Sequence, residues 1–262
     1  MAISFPRTGK VLMMPKRLSF QLYSARNFSP LKDTLALLAK TGYREVEGYD
    51  GLYDKPETLR RLLDKSSISM PTGHFGLGLL EGERARVRKI AATLGMRHIY
   101  APYLMPDERP KTAAGYRKLG KRLAAIGEWV RGEGYGFGWH NHDFEFTRLP
   151  SGETPHEIIF EAAPMLDWEC DVAWIARAKA NPVAWVKRYA DRITAVHVKD
   201  IAPKGECLDE DGWTDVGQGT VNWPAVMAAL KRSRVMHFIM EHDNPSNLQR
   251  FARRSFAYVS KI

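Results

Sequence analysis

Strand-like and helix-like segments alternate eight times between residues 17 and 262. The strand-like runs are short and largely apolar, and the segments between them place leucine and alanine at helical spacing. Ser29-Pro30 predicts the start of the first helix and Gly42 predicts its end. Two of the predicted helices cover residues 79–94 and 181–192. The strand-like runs cover residues 18–24, 44–49, 68–75, 97–104, 135–142, 166–171, 193–199 and 235–242.

Eight strand–helix pairs predict an α/β protein, a single (β/α)8 TIM barrel over residues 17–262 with residues 1–16 as an N-terminal extension. The alternative is an open, doubly wound sheet. That fold is disfavoured because neither a G-x-G-x-x-G nor a G-x-x-x-x-G-K-[ST] motif follows an early strand. The active site of a barrel lies at the carboxyl ends of its strands.

The composition is that of a globular protein, with 44% hydrophobic residues. No apolar run is long enough to cross a membrane, and residues 1–16 lack the features of a secretory signal, so we expect no membrane partner. Only two cysteines are present, Cys170 and Cys207, which implies no disulfide framework and favours a cytoplasmic location. Trp129, Trp185 and Trp213 are candidate exposed residues that would mark a homo-oligomer interface or pack between helices.

The formal net charge of +9 invites a nucleic-acid interpretation. The 39 Lys and Arg residues are, however, spread along helix-like segments such as 84–89, 117–122 and 250–254, where solvated outer faces explain them. We therefore expect a small-molecule ligand and no nucleic acid.

Metal-ligand side chains stand at the ends of the last four predicted strands. If the fifth strand persists to His142, the period-two alternation points His140 and His142 to one side. Two imidazoles and two carboxylates suit Mn²⁺, with Co²⁺, Zn²⁺ or Fe²⁺ as alternatives and Mg²⁺ less apt. Each residue also has a structural interpretation, as a helix cap, a core histidine or a surface ion pair. The nominated ligands are His140, Asp171, His197 and Glu241.

Further polar residues near the strand ends are candidates for substrate binding or proton transfer. Glu47 and His74 could contact sugar hydroxyls, against the alternatives of a salt bridge and a plain loop residue. His142 and Glu145 could carry protons. Lys199 could stabilise an oxyanion or act as an acid–base group, and its alternative is a structural ion pair. The turn at residues 217–219 could bring backbone amides to a ligand.

Several motifs in chain order resemble the xylose isomerase-like TIM-barrel superfamily, in its sugar phosphate isomerase/epimerase group. They are FQLYSAR at 20–26, GYREVEGY at 42–49, GWHNHDFEF at 138–146, ECDVAW at 169–174, HVKD at 197–200, DVGQGTVNW at 215–223 and MEHDNP at 240–245. The resemblance implies a divalent metal, commonly Mn²⁺, held by the four nominated ligands. The chain departs from the ketose epimerases of the superfamily at the fifth strand, where His140 stands in place of a proton-shuttling glutamate.

The resemblance implies a sugar isomerase or epimerase that removes a proton next to a metal-bound carbonyl of a ketose or keto-sugar and forms an enediolate. The HNHDFEF form is also similar to inosose dehydratases and to enzymes of 3-keto-glycosides, which offer lyase or hydrolase chemistry through the same step. On this interpretation Glu241 or His142 is the base and Glu145 or Lys199 the acid. Glu47, His74 and Arg26 bind the substrate.

Two rival functions remain at this point. One is an endonuclease acting on abasic DNA through three zinc ions, for which the segment after Asp171 lacks a further histidine. The other is a sugar-binding subunit without catalytic activity.

Overall fold

The computed structural model describes residues 17–262, so the predicted N-terminal extension lies outside the described residues. Eight parallel strands close into a barrel, which confirms the predicted fold class. They are β1 (Arg17–Gln21), β2 (Glu45–Gly48), β3 (Ser69–His74), β4 (His98–Ala101), β5 (Gly136–His140), β6 (Asp167–Asp171), β7 (Ile193–Val198) and β10 (His237–Met240). Around the barrel they follow the order β1-β10-β7-β6-β5-β4-β3-β2.

Helices surround this barrel, and a two-stranded antiparallel ribbon of β8 (Asp200–Ile201) and β9 (Trp213–Thr214) projects after β7. The helices are α1 (Leu31–Thr41), α2 (Pro56–Lys65), α3 (Leu77–Gly82), α4 (Arg84–Leu94), α5 (Ala113–Gly132), α6 (Pro155–Ala162), α7 (Val172–Arg177), α8 (Pro182–Arg188), α9 (Trp223–Leu230) and α10 (Leu248–Val259).

The structure corrects several details of the sequence interpretation. The helix predicted over 79–94 is two helices, because Glu83 between α3 and α4 has non-helical backbone angles. The strand predicted to reach His142 ends at His140, so His142 lies in the following loop. Helix α7 was not predicted, and the helix predicted over 181–192 ends at Arg188. Trp213 is buried, so it cannot mark an interface.

The barrel interior contains an apolar layer beneath its carboxyl end. Tyr100, Ala195 and Ile239 form a buried cluster separate from the main core. Strand side chains alternate, so Ala195 and His197 share one face of β7, while Ile239 faces the same way as Glu241. The Tyr100 hydroxyl lies 2.9 Å from Thr194 Oγ1, which satisfies this buried polar group. The apolar layer is therefore a rigid floor for the ionisable residues above it.

The turn at residues 217–219 serves the fold rather than a ligand. The backbone amides of Gly217 and Val221 donate to the Asp200 carboxylate at 2.9 and 3.0 Å. Gly217 has a φ of +87°, and a Cβ there would lie 2.4 Å from the Tyr258 ring. These contacts fix the long connection between β7 and α9 against the barrel.

Between residues 17 and 262, no helix combines the length and apolarity needed to cross a bilayer. Cys170 is buried in β6, Cys207 is half-buried in the connection between β8 and β9, and both are free thiols.

Candidate active site

Four side chains from neighbouring strands meet at the carboxyl end of the barrel. The ligand atoms of His140, Asp171, His197 and Glu241 all lie within 4.8 Å of one another, and all four residues are buried. They come from the ends of β5, β6 and β7 and from the residue after β10. The structure therefore brings together the four nominated ligands.

One carboxylate oxygen of Asp171 accepts a hydrogen bond, and the other has no partner within the described residues. Its Oδ1 accepts a hydrogen bond from the backbone of Trp174 at 2.9 Å, which caps helix α7. Its Oδ2 is buried and has no hydrogen-bond partner within the described residues. The Asn141 side chain accepts a hydrogen bond from the Asp171 backbone amide at 2.9 Å and donates one to the Asp171 backbone carbonyl at 3.0 Å. A positioned, unpartnered buried carboxylate oxygen is suited to a cation.

His197 and Glu241 form a buried pair in which each residue stabilises the charged form of the other. His197 Nδ1 lies 2.8 Å from Glu241 Oε2. Burial would raise the pKa of Glu241, but Lys199 and His197 outweigh it and hold the pKa well below its ordinary value. Burial would lower the pKa of His197, but Glu169 and Glu241 raise it well above the ordinary value. This arrangement keeps Glu241 ionised.

The pKa values of His140 and His142 shift in the opposite direction to that of His197. Burial lowers the pKa of His140 well below its ordinary value, and the nearby His197 lowers it further. Burial and the charge of Lys199 do the same for the pKa of His142. The His142 Nδ1 atom has no hydrogen-bond partner within residues 17–262. Both imidazoles are therefore neutral near pH 7, the state that binds metals and accepts protons.

Lys199 is a buried cation between carboxylates and aromatic rings. Its Nζ lies 2.5 Å from Asp243 Oδ1 and 3.4 Å from Glu241 Oε2. It also lies over the Trp213 ring, 4.2 Å from the centroid. Burial would lower the pKa of Lys199, but Asp243 and Glu241 raise it above the ordinary value. Lys199 is thus held as an ammonium ion, which can donate a hydrogen bond into the site.

Glu47, His74 and Glu169 form a second group of buried polar residues, in contact with His197. His74 Nε2 lies 2.5 Å from Glu169 Oε2 and 3.2 Å from Glu47 Oε1, and Glu47 Oε1 lies 2.8 Å from His197 Nε2. Gln21 donates to Glu47 at 2.8 Å. Burial would lower the pKa of His74, but the two glutamates raise it to about 10. Glu47 and His74 are thus held by other buried side chains.

Glu169 was not nominated from the sequence. It lies two residues before Asp171 on β6, so strand alternation places both carboxylates on the inner face. This spacing is visible in the sequence. The companions of Glu169 come from β3, β5 and β7, and only the barrel brings them together.

Glu145 does not join the cluster. Its Oε1 accepts from Trp139 Nε1 at 2.9 Å, and its Oε2 accepts from the His142 backbone at 3.0 Å. Trp139 and His140 are adjacent on β5, so their side chains lie on opposite faces of the strand. Burial raises the pKa of Glu145 to about 8. These contacts fit a residue that holds the loop carrying His142.

Polar and aromatic residues form the rim of the site. Arg26 donates to the backbone carbonyl of Asp243, and its guanidinium lies 4.1 Å from the Tyr23 ring centroid. On the other side, the half-buried ring of His142 packs 4.6 Å from Tyr103 and 5.2 Å from Trp174. The rim offers flat faces and one exposed cation to a ligand that enters the barrel.

The comparison with protein families settles the family. Residues 35–261 match the family described as xylose isomerase-like TIM barrel. The chain belongs to this family. Among solved structures, the sugar phosphate isomerase/epimerase from Parabacteroides distasonis superposes with a TM-score of 0.80 and 19% identity, covering 95% of each chain.

Two further proteins are similar to this chain. The IOLI protein, solved with a bound zinc atom, gives a TM-score of 0.70 at 18% identity, covering 94% of this chain and 95% of that one. The rhizopine catabolism protein MocC of Rhizobium meliloti is 24% identical over 236 residues, covering 78% of this chain and 72% of MocC. The structural similarities support the shared barrel fold.

Proposed function

We propose that the protein is a divalent-metal-dependent sugar isomerase or epimerase. The substrate is a ketose or keto-sugar, from which a proton next to the carbonyl is removed to give an enediolate. The observation that carries the proposal is the convergence of His140, Asp171, His197 and Glu241 beside the buried ammonium of Lys199. Membership of the xylose isomerase-like TIM barrel family supports it.

The residues of the site fit a divalent cation. Two imidazoles and two carboxylates form a mixed donor set, which suits Mn²⁺ and also Zn²⁺ or Co²⁺. The Oδ2 atom of Asp171 has no hydrogen-bond partner within the described residues, and His140 is neutral. Burial raises the pKa of Asp171 to about 7, so coordination would displace a proton from part of the Asp171 carboxyl groups near pH 7. The zinc atom of the IOLI protein is consistent with such a site in this fold. When bound, the cation would act as a Lewis acid toward a substrate carbonyl.

The protein's own side chains supply the proton transfers. The neutral imidazole of His142, half-buried beside Tyr103 and Trp174, accepts the proton from the substrate carbon in this proposal. Glu241 is the alternative acceptor, but its Oε2 is already held by His197 and Lys199. Lys199 Nζ donates toward the oxygen that gains negative charge. Arg26 contacts the outer part of the substrate from the rim.

The fate of the enediolate decides between the proposed activity and its alternative. Reprotonation gives an epimer or an isomer. Loss of a substituent from the adjacent carbon gives a dehydratase or a glycoside lyase, which would use the same first step. The aromatic rim of Tyr103 and Trp174 is compatible with a substrate that carries a second ring.

The test is NMR detection of deuterium uptake from heavy water into ketoses, inososes and 3-keto-glycosides. Metal-stripped protein is compared with protein reloaded with Mn²⁺. Metal-dependent exchange at a carbon next to the carbonyl is the expected result, and the product identifies the reaction. Absence of exchange across the panel, with bound metal verified, would contradict the proposal and favour a binding protein.

A further inference from the structure

We propose that Asn141 is a positioning residue that sets the affinity of the site for its divalent cation. The inference rests on the proposed function, because the cation is the one assigned above to His140, Asp171 and their two companions. Asn141 contacts neither the cation nor the substrate. It acts by holding the segment that carries Asp171 against β5 before the cation arrives.

The backbone pairing between β5 and β6 stops short of Asp171. The last paired residues are His140 and Glu169, and Asp171 lies two positions further along β6. On its other side Asp171 is paired with His197 of β7, and the Glu241 amide donates a backbone hydrogen bond to β7 at 3.2 Å. Backbone contacts therefore tie three candidate ligands to one another, whereas the junction with β5 depends on another group.

The Asn141 side chain fills this gap. Its Oδ1 accepts a hydrogen bond from the Asp171 amide at 2.9 Å, and its Nδ2 donates to the Asp171 carbonyl at 3.0 Å. The same Oδ1 accepts from Trp168 Nε1 at 2.8 Å. These partners fix the orientation of the amide, since the reverse orientation would place Nδ2 against two N–H donors. The side chain thus continues the pairing of β5 with β6 by one residue.

An asparagine suits this position because its short side chain carries both a donor and an acceptor. Asn141 is fully buried, so its polar groups need partners inside the protein. An aspartate would place a second oxygen against the Asp171 carbonyl. An alanine would leave the Asp171 amide and carbonyl without their partner. The contacts therefore require both halves of the Asn141 amide.

These hydrogen bonds prepare the Asp171 carboxylate for a cation. Its Oδ1 is held by the Trp174 amide at 2.9 Å, and its Oδ2 has no partner within residues 17–262. Asn141 also follows His140 directly in the chain, so one residue connects the segments that carry two ligands. A ligand that is already ordered loses less conformational entropy when the cation binds. Residues that orient metal ligands typically contribute about 10–100-fold to metal affinity.

Isothermal titration calorimetry of Mn²⁺ into metal-stripped protein measures the effect. We expect Asn141→Ala to raise the Kd for Mn²⁺ by about 10–100-fold. The matched control is Asn181→Ala, which removes the N-cap of α8 and its hydrogen bond to the Ala184 amide at 3.2 Å. This control should lower stability but leave the Kd unchanged. Urea denaturation of the metal-free proteins separates a general loss of stability from a loss of positioning.

A second measurement needs no variant, so it decides the matter even if Asn141→Ala folds poorly. In the metal-free unmodified protein, NMR should show slow hydrogen exchange of the Asp171 amide, because this N–H is already bonded to Asn141. Exchange that becomes slow only after diamagnetic Zn²⁺ is added would overturn the inference, since the cation would then order the segment.

The outcomes of the titration separate this inference from the proposed function. An unchanged Kd in folded Asn141→Ala would overturn the inference and leave the proposed function standing. An equal rise of the Kd in Asn141→Ala and Asn181→Ala would overturn it as well, because the effect would then follow stability. Failure of the unmodified protein to bind Mn²⁺ would overturn the proposed metal dependence together with the inference.

Discussion

The Nδ1 atom of His197 lies 2.8 Å from the Oε2 atom of Glu241. The two residues are 44 positions apart, but β7 and β10 are paired neighbours in the barrel with Ile239 opposite His197. Glu241 follows two residues after Ile239, so both side chains point to the interior. This pair links one strand end to the next, and Asp171 and His140 complete the group.

Replacing Asp171 with asparagine should separate metal binding from folding. Asparagine is as good a helix cap as aspartate, so the hydrogen bond to Trp174 and the stability of α7 should be kept. The negative charge and the free oxygen are lost. We expect deuterium exchange to fall by at least about 100-fold, because even groups that only support metal ligands contribute 10–100-fold. The exposed Asp209 provides the matched control Asp209→Asn. Full exchange activity in Asp171→Asn would refute its assignment as a ligand.

Replacing Lys199 with methionine should remove a charged hydrogen-bond donor from the site but keep the metal. Methionine has a similar length and leaves the candidate metal ligands unchanged. We expect kcat to fall by roughly 10²–10³-fold, the usual effect of removing one donor to an oxygen that gains negative charge. The variant should also be less stable by about 3–5 kcal/mol, because Asp243 loses its buried partner. Steady-state kinetics and metal analysis of the same sample provide the check. A change confined to KM would instead identify Lys199 as a binding residue.

Replacing Glu145 with glutamine should change how stability depends on pH. Burial raises the folded-state pKa of Glu145 to about 8, against 4.5 ordinarily. The folded state therefore binds this proton more tightly, and the stability that it contributes is complete below pH 4.5 and lost as the pH rises through about 8. Glutamine does not titrate, so the unfolding free energy of the variant should decline less between pH 5 and 9. Urea denaturation at several pH values measures this difference, and parallel profiles for the two proteins would contradict it.

Replacing His156 with phenylalanine should stabilise the protein, most of all in acid. His156 is buried, stacks on Phe160 at 4.3 Å between ring centroids, and has no hydrogen-bond partner on either nitrogen within the described residues. Burial lowers its pKa to about 3. The stability linked to the neutral ring is present above pH 6.5 and lost as the pH falls through about 3. We expect the His156→Phe variant to gain about 1 kcal/mol at pH 7.5 and more at pH 5.

Urea denaturation of the His156→Phe variant and the unmodified protein at both pH values provides the measurement. A loss of stability at pH 7.5 would show that the cavity needs the smaller ring or that a nitrogen is hydrogen-bonded.

The sequence determined the barrel because the eight strand–helix units are each encoded locally, by short apolar runs, proline at helix starts and glycine at helix ends. The local sequence signals were weaker at the ends of individual helices and strands. The break at Glu83 between α3 and α4, and helix α7 after Asp171, depend on how the chain packs against the barrel. The end of β5 at His140 was also missed, because the next residue, Asn141, bonds to Asp171 on the neighbouring strand.

For the site, the sequence supplied residue types and their inward positions, since strand alternation fixes which side chains share a face. This was enough to nominate His140, Asp171, His197 and Glu241. The tertiary structure alone decided which of the other polar residues reach the centre. Glu145 is held outside the cluster by its hydrogen bond to Trp139, whereas residues far apart in the chain, Glu47, His74 and Glu169, meet beside the candidate ligands. The physical reason is that closing the barrel sets distances between strands, and no local pattern encodes them.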